Sequence, residues 1–174
     1  GQPAISMAGT GDNVIVTYGV GDKFLHTTDG STFNERDLSD RSALHSNGSS
    51  HKIVDVDVLS ATNFILLVQS ENMGTKYVSL VYLTSSNSAV DGSYTISDSS
   101  GHTGTLNDAT AVVAYDSSNI YVLGNAGGGE SPGILKSTSS SNGSLSATHG
   151  FSSIDNDNFK DGAIVSSSDI YFIN

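Results

Sequence analysis

Two carboxylates in the stretch Asp55-Val56-Asp57 are the first place in this 174-residue chain to look for chemistry. They alternate with Val54, Val56 and Val58, and side chains two apart on a strand share a face, ~7 Å from one another. A glycoside hydrolase works with two carboxyl groups, one giving a proton and the other acting as nucleophile or base. Those groups must flank the scissile bond from opposite sides, and two acids of one strand are badly placed for that. The alternation reads instead as a half-buried strand with one wet face, of the kind that lines a channel.

A second concentration of acids is Asp155-Asn156-Asp157-Asn158-Phe159-Lys160-Asp161-Gly162. Ca²⁺ takes six to eight oxygen ligands from flexible loops of Asp and Asn. Asp155, Asp157 and Asp161 are therefore the candidate metal ligands, and Ca²⁺ is the one cofactor the residues suggest. The spacing departs from an EF-hand loop, because Phe159 stands where a further acid and its glycine should follow. The competing reading is a polar turn leading into a strand. The histidines (His26, His45, His51, His102 and His149) are scattered without a pair at ligand spacing, which argues against zinc. The glycine-rich stretch from Gly124 to Glu130 follows a strand, opens no helix and carries no lysine, so it reads as a hairpin loop rather than a phosphate cradle. Asn47-Gly48-Ser49 and Asn142-Gly143-Ser144 are formal glycosylation sequons and read as turns.

The charge balance narrows the partners. With 7 basic against 18 acidic residues the net charge is −11. Nucleic-acid binding needs lysine and arginine to neutralise phosphates, and an anionic membrane surface repels such a chain. No cysteine is present, which removes disulfides, thiolate metal sites and thiol nucleophiles together. No run approaches the 18 or so apolar residues of a membrane-spanning helix. The first residues do not read as a signal peptide. Charged residues make up only 14 % and Ser, Thr, Asn and Gly dominate, a surface that fits an extracellular or cell- or virion-surface setting.

The elements that must position these groups are strands. Helical periodicity is nearly absent, and short runs of Val, Ile, Tyr, Phe and Thr are bounded by Gly, Asn, Asp and Ser. Four of these runs open on an Asn or Asp: Asn13–Tyr18, Asn63–Val68, Asn119–Leu123 and Asp169–Ile173, with anchors 50, 56 and 50 residues apart. Such a period marks a repeated supersecondary unit. A strand is expected before each anchor, over 5–8, 53–58, 111–115 and 163–165. A third is expected over 23–27, 77–83 and 133–137, and a weaker fourth over 33–35, 93–96 and 145–148. Being apolar on successive residues, the anchor strands are expected to be buried on both faces.

Four antiparallel strands per ~50 residues, the second the most apolar, is what a β-propeller blade requires. The fold class expected is all-β, a propeller-like array of four-stranded antiparallel blades with about 3.5 present. A β-sandwich or a β-solenoid is the alternative. The units run over 1–50, 51–107, 108–160 and an incomplete 161–174, linked by polar loops over 37–50 and 97–107. Three whole units and half of another suggest part of a larger propeller, or a ring completed by another chain.

The link between the third and fourth strands of the first unit reads His26-Thr27-Thr28-Asp29-Gly30-Ser31-Thr32-Phe33. It resembles the Asp-box, or BNR repeat, of sialidase-like and sortilin-like propellers, with Thr27, Asp29, Gly30, Thr32 and Phe33 matching and the turn one residue shorter than its commonest form. The resemblance implies a structural staple at the outer edge of a blade. On physical grounds Asp29 can accept hydrogen bonds from its own turn, Gly30 permits positive φ and Phe33 can pack beneath the loop. The equivalent turns at Leu83–Ser88 and Lys136–Ser141 have lost the aspartate and the aromatic. Sialidase activity would require three arginines clamping the substrate carboxylate, and this chain has two, Arg36 and Arg41, in one loop.

The function expected is a non-catalytic propeller module of an exported or particle-surface protein, recognising glycan or protein through its loops. The alternatives are a fragment of a propeller-type glycan hydrolase or lyase whose catalytic residues lie elsewhere, and a structural repeat of a fibre or coat. No enzyme is expected of this chain, and its partners would be a glycan or protein ligand, or another chain completing the ring.

Overall fold

The computed structural model describes residues 4–18, 21–38, 50–60, 63–72, 75–84, 90–96, 108–116, 119–125, 133–137, 145–147 and 159–174. Among them every regular element is a strand. The first sheet holds β1 (Ser6–Thr10), β2 (Asn13–Thr17), β3 (Lys23–Thr27) and β4 (Asn34–Asp37). The second holds β5 (Ser50–Ser60), β6 (Asn63–Asn72), β7 (Thr75–Thr84) and β8 (Val90–Ile96). The third holds β9 (Asp108–Asp116), β10 (Asn119–Asn125), β11 (Ile134–Ser137) and β12 (Leu145–Ala147), and the last is the pair β13 (Asp161–Ser166) and β14 (Asp169–Ile173).

Each sheet is an antiparallel meander in chain order, with neighbours in sequence hydrogen-bonded in space. The predicted strands all form, with small changes of extent. β1 runs on to Thr10, so the polar link Gly9–Asp12 shrinks to a tight turn at Gly11-Asp12, with Thr10 opposite Asn13. β5 and β6 are longer than their apolar runs, pairing from Ser50↔Glu71 to Ser60↔Asn63, with bulges near Asp55 and Ser60. The added residues are polar, and the backbone ladder carries them beyond the buried stretch.

The four sheets stack in order, and three apolar layers lie between them. Ile15 and Phe24 of the first sheet meet Ile53, Val56, Phe64 and Leu66 of the second. Ile65, Leu67 and Leu80 of the second meet Val112, Ile120 and Val122 of the third. Tyr121 and Leu123 of the third meet Phe159, Ile164, Ile170 and Phe172 around the last sheet. Both faces of β6 are therefore covered, and Phe64 to Val68 are each 0 % exposed. At ~1.5–3 kcal/mol per fully buried side chain, these layers are the main source of stability.

The expectation of two-faced burial holds for β6 and β10 and fails at the ends of the stack. In β14 exposed and half-buried residues alternate, and in β2 only Ile15 and Thr17 are fully buried. The physical reason is position: a strand in a terminal sheet has a neighbouring sheet on one side only, whatever its own sequence. Links between sheets add to the packing. Ile53 N–H donates to the Gly21 carbonyl at 3.0 Å and Phe159 N–H to the Gly124 carbonyl at 3.2 Å, while Ala109 N–H reaches Oε1 of Gln69 at 3.1 Å.

Candidate functional site

The first strands of the four units, β1, β5, β9 and β13, converge on one concavity of about 380 Å³. Its polar lining comes from Ser6, Asp55, Asp57, Thr110, Lys160 and Asp161. Each unit contributes from the same stretch of its fold: Ser6, Asp55, Thr110 and Asp161 lie seven, eight, nine and eight residues before the anchors Asn13, Asn63, Asn119 and Asp169.

Asp55 and Asp57 share a face of β5, as alternation requires, yet that face is not simply wet. It points toward the third sheet. Oδ2 of Asp55 accepts the backbone N–H of Val112 at 2.9 Å, and Oδ2 of Asp57 accepts that of Ala114 at 2.7 Å. On its other side Asp55 accepts the hydroxyl of Ser6 at Oδ1, and Asp57 takes the N–H of Val58 at 2.7 Å. Burial pushes both carboxyls above their ordinary value of 3.8, against these hydrogen bonds, and the charge of Asp161 pushes both the same way. All four carboxylate oxygens are thus occupied by donors of the protein itself. The pair is a bridge between sheets, a role the sequence could not announce because its partners are backbone groups of a distant strand.

Of the proposed calcium ligands, Asp155 and Asp157 lie outside the described residues. Asp161 opens β13 on the surface, and its Oδ1 accepts the N–H of Gly162 at 2.7 Å. Among the described residues no group of three or more His, Asp or Glu is gathered around one point.

The Thr27–Phe33 turn closes on Asp29. Its Oδ1 accepts the N–H of Ser31 at 2.9 Å, the N–H of Thr32 at 2.7 Å and the hydroxyl of Thr27 at 2.9 Å. These donors, those of Thr32 and Ser31 foremost, hold the carboxyl far below its ordinary value of 3.8. Gly30 sits at φ 68°, where an added Cβ would meet Oδ1 of Asp12 at 3.0 Å. Its N–H donates to the Asp12 carbonyl at 3.0 Å, docking the turn on the β1–β2 hairpin. Phe33 departs from expectation: it is 44 % exposed rather than packed beneath the loop. The turn is held by the bonds to Asp29 and the Gly30–Asp12 contact, without the aromatic ring beneath it.

Of the histidines, two are described. His26 is buried, bonded through Nε2 to Oδ1 of Asn13 at 2.8 Å and edge-on to Phe64 with ring centroids 5.9 Å apart. His51 pairs through Nδ1 with the Ser70 hydroxyl at 2.7 Å. Both serve packing. Arg36 lies on β4, and Arg41 is outside the described residues. The glycine-rich stretch 126–130 and both sequons also lie outside the described residues. Ser6, Thr110 and Lys160 carry no motif that marks them in the sequence, and only the distance of the first two from the anchors Asn13 and Asn119 points to them.

A scan of protein-family models finds no match to this chain, and a search of curated proteins finds none either.

Proposed function

We propose that the chain is a sector of a β-propeller, with Thr27–Phe33 as an Asp-box turn, acting as a non-catalytic recognition module of an exported or particle-surface protein. In support of the architecture, four meander sheets stack in chain order with their first strands together, as blades around an axis would. The turn chemistry at Asp29 fits the staple role that the resemblance implies.

The observation that carries binding over catalysis is the engagement of Asp55 and Asp57. Carboxylates whose oxygens all accept protein donors are engaged in joining strands rather than presented to a substrate. The concavity beside them offers the hydroxyl oxygens of Ser6 and Thr110 as acceptors, their protons being given to Asp55 and to the Phe159 carbonyl, with one ammonium at Lys160 and a surface carboxylate at Asp161. Such a lining suits the hydroxyl groups of a neutral glycan, and a net charge of −11 disfavours anionic sugars.

The test is a glycan array probed with and without Ca²⁺, followed by titration calorimetry of any hit against a Thr110→Ala, Lys160→Ala variant. Binding of neutral glycans that weakens at least tenfold in the variant supports the reading. Flat responses would overturn it and leave a structural repeat of a fibre or coat.

A further inference from the structure

One half-interface is used three times inside the stack and left open at both ends. Counted from the residue that opens each second strand, positions two and four face the next sheet and positions one and three the preceding one. Ile15 of β2 thus meets Phe64 and Leu66 of β6. Ile65 and Leu67 of β6 meet Ile120 and Val122 of β10. Tyr121 and Leu123 of β10 meet Ile170 and Phe172 of β14. In β14 positions two and four are Tyr171 and Ile173, 61 % and 58 % exposed, with Val165 of β13 exposed beside them. In β2 positions one and three are Val14 and Val16, on the outward face of the first sheet, where Met7 opposite Val16 is 70 % exposed.

We propose that these two faces dock a second copy of this chain head to tail, the last sheet of one copy seating on the first sheet of the next. The argument is continuity: the last sheet carries the forward half of the repeated interface and the first sheet its backward half, at the same strand positions. Large apolar side chains on adjoining strands form a patch of the sort that marks an association surface. Because the two faces differ, the contact is heterologous, and repeated docking closes a ring or runs on as a filament according to the rotation per copy. Of the side chains named on these two faces only Met7 also borders the concavity, and docking is read from mass with no glycan present, so the two readings fail separately.

Sedimentation of the unaltered chain across the micromolar range decides the first point. A weight-average mass rising with concentration above 18.0 kDa is expected. A single-chain mass throughout overturns the proposal and leaves the faces to a further repeat unit or an unrelated partner. Two variants test the geometry: Tyr171→Lys with Ile173→Lys, and Met7→Lys with Val16→Lys. Their side chains point away from the three apolar layers, so strand content by circular dichroism should be unchanged. Each variant alone should sediment as one chain, and an equimolar mixture should form a dimer and nothing larger, since one good head and one good tail remain. Association of either variant alone, or a mixture that stays monomeric, would overturn the head-to-tail arrangement.

Discussion

Oδ2 of Asp57 on β5 accepts the backbone N–H of Ala114 on β9 at 2.7 Å, across 57 residues of chain. Two residues earlier Asp55 reaches Val112, again 57 residues away. Equal separations at successive rungs mean that the two first strands run parallel, with side-chain carboxylates replacing the ladder that backbone groups would form within a sheet.

Asp57→Ala should therefore cost about 1–3 kcal/mol, the penalty of leaving a half-buried N–H without its acceptor. Asp57→Asn, which keeps a carbonyl oxygen, should cost less. Urea denaturation followed by circular dichroism measures both. Equal stability of Asp57→Ala and the unaltered chain would contradict the bridge.

The same carboxyls predict a pH dependence of unusual sign. A carboxyl held above 3.8 by burial binds its proton more tightly folded than unfolded. Its contribution is most favourable below 3.8 and declines as pH rises through the elevated folded values. Asp55→Asn should flatten that decline in a series of denaturation midpoints against pH.

Asp29 should behave in the opposite way. Its donors hold it below 3.8 in the fold, so its stabilisation is complete above that value and is lost as pH falls beneath it. Asp29→Ala should lower the melting midpoint at neutral pH by a few degrees and remove part of the acid-induced loss. A variant that melts like the unaltered chain at neutral pH would remove the staple role.

His26 adds a third window. Burial, with the Arg36 charge adding to it, pushes its imidazole below 6.5. The neutral ring is the one the fold accepts, so stability should fall as pH drops below 6.5, and His26→Gln should flatten that fall. An unchanged profile in the variant would assign the loss to another group.

Packing predicts a contrast between an inner unit and an end one. Phe64→Ala should cost about 3–5 kcal/mol, since it opens a cavity in a layer sealed on both sides. Tyr171→Ala, on an outward face, should change the monomer by no more than about 0.5 kcal/mol. Thermal melts at a concentration where the chain is monomeric compare them directly.

Much of this architecture was legible in the residues because strand signals are local. Asn13, Asn63, Asn119 and Asp169 each open a second strand, and the polar clusters between runs fall at turns or outside the described residues. What escaped is what depends on neighbours. The valines around Asp55 and Asp57 revealed which residues share a face but not that this face meets β9. Tyr121 and Tyr171 occupy the same repeat position, yet one is buried and the other open, because only the first has a sheet beyond it. Phe33 carried an aromatic signature, yet it stands 44 % exposed on a turn that backbone donors to Asp29 hold closed.

Asp55 finally bears on how the chain folds. Its two oxygens serve different neighbours, Ser6 in the first sheet and Val112 in the third. In an ideal stack of repeats each boundary contributes its own energy, so units can peel off one at a time. A carboxylate shared between two boundaries makes them interdependent: losing one contact alters the charge and geometry offered to the other. The first three sheets should exchange their amide hydrogens as one cooperative block, with the β13–β14 hairpin opening separately and at lower cost.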